Sequence, residues 1–279
     1  MKKTMIPGIV FLLLMWISTV YGEIPVITVS IPPQAFFIHQ IAGTDRFDVN
    51  ILIPNGQSPA VYSPKPSQMM RVNRSDAFFL IGHPAFLFEA KHIFPHVNSN
   101  KEIPVFNLYQ EARKVSYPTD DHDPHLWMSP ILMTKILDDL TRFLNEFYPE
   151  DSLLFSENAK YLSERITALQ DSIQNLIRER QIKEFFIYHP SWGYFSRDFN
   201  LTQIAIESQG HEPGPGHLMR IARQVHDHDH KKIIVQKGFN QKSAEALAHE
   251  TGAGLVEADP LAYDWLESIR TMTTILVKP

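Results

Sequence analysis

The sequence contains no cysteine, and this absence removes several kinds of site at once. Without cysteine there is no disulfide, no thiolate metal ligand and no cysteine that could carry a lipid anchor. An excess of basic residues is also lacking, because 26 lysines and arginines stand against 31 aspartates and glutamates, a formal net charge of −5. A nucleic-acid partner is therefore disfavoured, since proteins of that class present a basic surface.

Long apolar runs are absent beyond the N-terminus. There, Lys2 and Lys3 precede an apolar run over residues 9–20, and small residues lie near Gly22. The run is shorter than the roughly 20 residues that span a bilayer. The pattern is typical of a cleavable secretory signal peptide over residues 1–22, with a retained signal anchor as the alternative. We expect an exported mature chain, most simply periplasmic, without a lipid anchor.

Short apolar runs alternate with helical patterns along the chain, which is typical of an α/β protein. Predicted strands cover residues 26–31, 48–53, 77–81, 104–108, 185–188, 202–206, 233–236 and 254–258. The helical segments between them favour parallel pairing. The sequence therefore predicts two α/β lobes with mainly parallel sheets, one over residues 23–150 and one over residues 182–279.

A long helix is predicted between the lobes, over residues 151–181. Its apolar residues recur at spacings of four and three, and no glycine or proline interrupts them. Some thirty residues give a rod of about 45 Å. A coiled-coil dimer is the alternative, but two lobes offer surface for the stripe, so we predict a rigid connecting helix in a monomer. Another helix is predicted to begin at Pro130, with Ser129 as its N-cap.

Polar residues stand where predicted strands end. His83, His189 and Asp259 each follow a strand and precede a proline, and His125 lies just before a helix start, in DPHLWMSP. In open α/β sheets, ligands bind beyond the carboxyl ends of the strands. Three imidazoles and one carboxylate suit zinc, whereas calcium and magnesium prefer oxygen ligands. Each residue could equally be structural, so the residues alone leave both interpretations open.

Several segments resemble the metal-binding solute-binding proteins of bacterial ABC importers, the zinc and manganese family. These segments are DPHLWMSP, YHPSWGYFSRDFNLTQIAIESQGHEPGPG, ETGAGLVEADPLA and GQSPAVYSPKPSQM. The resemblance covers essentially the whole mature chain, and it implies a metal site in the cleft between two lobes bridged by a rigid helix. It also implies that the chain is not an enzyme but delivers a transition metal, most simply Zn(II) with Mn(II) or iron as alternatives, to a membrane permease. The implied ligands are His125, His189 and Asp259.

The fourth family ligand is missing from its usual place. Many members carry a histidine in a PHxYxP motif, but this chain reads PAVYSP, with Ala60 in that position. Alanine cannot bind a metal. We predict that His83 supplies the fourth ligand. The alternatives are that His83 is hydrogen-bonded within its loop, that His122 fills the gap, or that a water completes the shell.

Other interpretations of function remain open at this point. Three protein ligands and a water would also suit a periplasmic zinc hydrolase, although the sequence has no HExxH motif. A surface adhesin is a third possibility, which the lack of a lipidation cysteine weakens. The HDHDH stretch, with His226, His228 and His230, is either an external metal trap or a polar helix end. Glu207 and Glu212 are candidates to orient a metal-bound histidine, or they cap turns.

Overall fold

A computed structural model gives the structure of the protein. It describes residues 23–100, 102–207, 213–228, 231–236 and 242–278. The predicted signal peptide, residues 1–22, lies outside the described residues. Across the described ranges, no helix combines the length and the apolar character that crossing a membrane requires.

Two four-stranded parallel sheets form the framework of the described residues. In the first sheet the order is β2-β1-β3-β4, with β1 Val26–Val29, β2 Asp48–Ile51, β3 Ala77–Leu80 and β4 Val105–Asn107. In the second sheet the order is β6-β5-β7-β8, with β5 Glu184–Ile187, β6 Thr202–Ala205, β7 Lys232–Val235 and β8 Gly254–Glu257. The predicted α/β fold with two parallel sheets is confirmed. We use N-terminal lobe for the described residues up to 150 and C-terminal lobe for those from 182 to 278.

The helices cover the sheets and join them. In the N-terminal lobe they are α1 Pro32–Ala42, α2 Pro66–Val72, α3 Leu87–His92, α4 Phe94–Ser99, α5 Leu108–Lys114 and α6 Pro130–Phe147. The connecting helix is α7 Ser152–Arg180. In the C-terminal lobe they are α8 Gly193–Asp198, α9 Pro215–Asp227, α10 Lys242–Thr251 and α11 Trp265–Val277. Short 3-10 turns cover Leu126–Met128 and Pro149–Asp151.

The start of α6 follows the prediction. Ser129 Oγ accepts a hydrogen bond from the Leu132 N–H at 2.8 Å, which satisfies one of the N–H groups that a helix start leaves unpaired. Pro130 occupies the first helical position, where its missing N–H costs nothing. The direction of the chain as it leaves the preceding turn is therefore set locally.

The connecting helix α7 buries one face along its length. The buried residues are Phe155, Ala159, Leu162, Ile166, Leu169, Ile173 and Ile177. They face α1, α6 and α11 of the same chain. The sequence pattern predicts Leu176 as the last residue of this stripe, but the structure buries Ile177 there and leaves Leu176 half-buried. The apolar stripe is thus covered without a coiled-coil partner.

One large apolar core extends through both lobes. Among its members, each at most 1% exposed, are Phe37 of α1, Trp127, Phe155 of α7, Phe195 of α8 and Trp265 of α11. A smaller cluster packs α9 and α10 against the second sheet. The lobes are therefore joined by packing as well as by the connecting helix.

Candidate metal site

His125 and His189 meet at the boundary between the lobes. His125 precedes the 3-10 turn of the N-terminal lobe, and His189 lies just beyond the carboxyl end of β5. Their ring centroids are 5.3 Å apart with the planes at 76°. Both side chains are mostly buried, at 15% and 20% exposure. The structure thus brings together two imidazoles from distant parts of the sequence.

Each ring is oriented by a carboxylate. His125 Nδ1 is 2.7 Å from Asp123 Oδ1, and His189 Nδ1 is 3.1 Å from Glu207 Oε2. Because a carboxylate oxygen accepts, Nδ1 donates in both pairs and the lone pair of the neutral ring is on Nε2. Metal-binding histidines usually have this arrangement, in which the carboxylate fixes the tautomer and raises the basicity of the ligand. Glu207 therefore orients a histidine, while Glu212 lies outside the described residues.

Asp123 is a site residue that the sequence reasoning missed. Its Oδ1 also accepts the backbone N–H of His125 at 2.9 Å, so one oxygen holds both the backbone and the ring of the histidine. Burial by itself would raise the pKa of Asp123, but the hydrogen bonds from the ring and backbone N–H of His125, with the electrostatic attraction of that ring, outweigh it and hold the pKa below its ordinary value. An aspartate two residues before a histidine, the usual spacing of an Asx turn, was the available signal.

The turn that carries Asp259 is tied to the DPHLW turn. Trp127 Nε1 donates to the Pro260 carbonyl at 2.8 Å, and Trp265 Nε1 donates to the Trp127 carbonyl at 2.7 Å. Asp259 Oδ1 accepts the Leu261 N–H at 2.9 Å, which fixes the turn after β8. Two buried tryptophans thus place the Asp259 turn beside the turn that carries His125.

The four predicted ligands do not form one coordination group. Within the described ranges, no set of three or more histidine, aspartate or glutamate side chains lies close enough together to hold a metal ion. The structure brings His125 and His189 together, and it does not bring Asp259 or His83 into the same group. A complete coordination sphere needs at least one further donor beside the pair.

His83 is buried within the N-terminal lobe, at 1% exposure. Its Nδ1 accepts the Ala85 N–H at 3.1 Å, and its Nε2 donates to the Asp120 carbonyl at 2.8 Å. Burial lowers the pKa of His83, and the hydrogen bond to Asp120 acts against that shift. Both ring nitrogens are therefore already hydrogen-bonded to backbone groups of the protein. Its role as a ligand stays a prediction, and coordination would require His83 to give up one of these bonds.

The remaining histidines with a proposed metal role lie at the surface or beyond the described residues. His122 has a side chain 92% exposed. His226 is exposed beside Asp227, and His228 has its Nε2 3.8 Å from Glu184 Oε1. His230 lies outside the described residues. The described part of the HDHDH stretch, at the end of α9, is thus paired with acidic side chains of its own lobe.

The two parallel sheets, the long connecting helix and the histidine pair at the lobe boundary are typical of a two-lobed α/β binding protein. The model of the ZnuA family, the periplasmic component A of a zinc-uptake complex, matches residues 27–278, and the chain belongs to this family. Its members bind and deliver a solute and are not enzymes, so the hydrolase interpretation is set aside.

Comparison with individual proteins agrees with this membership. The high-affinity zinc uptake system protein ZnuA of Bacillus subtilis (strain 168) is 25% identical over 242 residues, which cover 79% of this chain and 73% of that protein. A crystal structure of ZnuA superposes with a TM-score of 0.82 at 29% identity, over 91% of this chain and 98% of the other. A ZnuA deletion mutant with zinc bound superposes with a TM-score of 0.80, also at 29% identity, over 91% and 97% of the two chains.

Proposed function

We propose that this protein captures Zn(II) outside the cytoplasm and delivers it to the membrane permease of an ABC importer. The observation that carries the proposal is the pair formed by His125 and His189, with Asp123 and Glu207 orienting the two rings. Nitrogen donors of this kind favour zinc over manganese, which is better suited by carboxylate and water. The zinc-uptake family to which the chain belongs supports the same cargo.

The proposed ligand set starts from the histidine pair and adds Asp259. The tryptophan contacts keep the Asp259 turn beside the pair, so a local shift of this carboxylate could supply the third donor. Ala60 leaves the position of the motif histidine without a donor. The fourth ligand is then either His83, after release of its bond to Asp120, or a water. Manganese and iron are the alternative cargoes.

The proposed cellular location rests on the N-terminal sequence. Removal of residues 1–22 as a signal peptide would release a mature chain that starts at Glu23. Because the sequence has no cysteine, a lipid anchor on that residue type is not available, and we propose a free periplasmic monomer.

Native mass spectrometry and chelator competition on the mature chain test the proposal. We expect one Zn(II) per chain, and a loss of affinity of about a hundredfold or more in His125→Ala and in His189→Ala, since removing a ligand costs more than removing its hydrogen-bond partner. Asp259→Ala should weaken binding less, and His83→Ala decides whether that residue coordinates. His226→Ala is the matched control, an exposed histidine paired with Asp227. Wild-type affinity in both His125→Ala and His189→Ala would refute the site.

A further inference from the structure

The segment that carries His125, residues 117–131, belongs to the N-terminal lobe in sequence but is held largely by α8 of the C-terminal lobe. Tyr194 of α8 is fully buried. Its hydroxyl accepts the Asp120 N–H at 3.0 Å and lies 3.1 Å from the Asp123 carbonyl, to which it donates. Burial raises the pKa of Tyr194 to about 12, so the phenol keeps the proton that this second bond needs.

Asp198, at the end of α8, holds the other end of the segment. Its Oδ1 accepts the Tyr117 hydroxyl at 2.7 Å. Its Oδ2 accepts the Ser129 hydroxyl at 2.6 Å and the Ile131 N–H at 2.9 Å. A carboxylate from the C-terminal lobe therefore reinforces the N-cap of α6, a helix of the N-terminal lobe.

Contacts between these two ends fix the segment further. Arg197 donates to the Pro118 carbonyl, and Gly193 lies directly against the Asp123 carboxylate. The N-terminal lobe itself contributes fewer hydrogen bonds. The Ala112 carbonyl accepts the Tyr117 N–H at 2.9 Å, His83 donates to the Asp120 carbonyl, and the half-buried Tyr109 donates to the Asp121 side chain. The residues around His125 are therefore joined to the same short helix that begins just after the His189 turn.

We propose that Tyr194 and Asp198 are positioning residues of the metal site, which fix the segment of His125 to α8 and thereby set its ring against His189. The inference rests on the proposed function, because positioning matters only if the pair binds a metal. Zinc binds histidine nitrogen at about 2.0–2.1 Å in tetrahedral geometry, so a small displacement of one imidazole weakens the bond. Both ligands of the pair would then move with the C-terminal lobe, although they come from different lobes in sequence.

Two conservative variants, Asp198→Asn and Tyr194→Phe, test the proposal on the full mature chain. We expect each to weaken Zn(II) binding roughly tenfold, at the low end of what outer-shell changes cost. The visible spectrum of bound Co(II) should also change, because its intensity depends on the number and geometry of the ligands. Asp151→Asn is the matched control, since it removes the same charge from a carboxylate that pairs with Arg46 at the junction of α6 and α7.

The outcomes separate positioning from simple stabilisation. All measurements are made where circular dichroism shows every variant to be folded. If both variants melt at lower temperature but keep the wild-type zinc affinity and Co(II) spectrum, positioning is overturned and the proposed function stands. If Asp198→Asn does not fold, Tyr194→Phe, which removes a single oxygen, decides the question. If the wild-type chain does not bind zinc, the proposed function fails and the inference fails with it.

Discussion

Gly193 leaves room for the Asp123 carboxylate, and adding a single methyl group there should weaken zinc binding. A Cβ built at Gly193 would lie 2.5 Å from Asp123 Oδ2, below the 3.0 Å that real Cβ atoms essentially always keep. In Gly193→Ala the carboxylate must therefore move by at least about half an ångström. The other oxygen of the same carboxylate holds the backbone and ring of His125, at 2.9 and 2.7 Å, so it has to move as well.

The expected loss of zinc affinity in Gly193→Ala follows from the role of Asp123 Oδ1 as the hydrogen-bond partner of His125. Losing the partner of a metal-bound histidine typically costs 10–100-fold in metal affinity. Gly193→Ala displaces the partner rather than deleting it, so we expect a loss of about tenfold, or about 1.4 kcal/mol. Asp123→Ala, which deletes the partner, should mark the upper end of that range. The fold should tolerate both changes, because the conflict at Gly193 is with the end of a side chain rather than with backbone.

The assay is chelator competition with zinc on the mature chain at neutral pH, with the melting temperature recorded for each variant. Gly216→Ala is the matched control, because no atom lies within 4 Å of the Cβ that it would add. Its zinc affinity should equal that of the wild type. Should Gly193→Ala bind zinc within about twofold of Gly216→Ala, the orienting role of Asp123 would be wrong.

Two further predictions concern stability. Glu89 is fully buried, where desolvation raises its pKa to about 7 in spite of hydrogen bonds from Ser30 and from two backbone N–H groups at the end of β3. The folded chain keeps this proton between about pH 4.5 and 7 while the unfolded chain releases it, so the carboxyl lowers the free energy of unfolding as pH rises through that window, by on the order of 3 kcal/mol. In urea titrations of metal-free protein, the free energy of unfolding of Glu89→Gln should therefore fall less with rising pH than that of the wild type. Parallel pH profiles of the two proteins would contradict the prediction. Ser129→Ala removes the N-cap of α6 and a donor to Asp198, so its free energy of unfolding should drop by about 1–2 kcal/mol in urea, whereas unchanged stability would show that the cap is replaced.

The helices and strands could be predicted because their signals are local. Each predicted strand is present, yet each ends one or two residues earlier than predicted. Ile31, Ile53 and Ile81 show the reason, since each is fully buried but lies beyond the last paired residue of its strand. Apolar character predicts burial, and burial continues into the turns after pairing has ended.

The site could be predicted only in part, because its hydrogen bonds join distant residues. The strand-end rule and the DPHxW motif placed His189 and His125, and the structure brings the two together. The partner of His83 is the carbonyl of Asp120, 37 residues away, and no spacing rule identifies a backbone acceptor at that separation. The contacts of Asp198 to the start of α6 span 69 and 67 residues, so they too had no sequence signal.

The apolar core that runs through both lobes limits how this protein can release its cargo. Swinging the halves apart to expose even ~300 Å² of that core would cost about 7 kcal/mol. At equilibrium fewer than about one molecule in 10⁵ would then have its two lobes separated. The two lobes therefore stay packed together while an ion binds and leaves. Release must occur through a local shift of the turns around the ion, and contact of the membrane partner with those turns would bring this shift about.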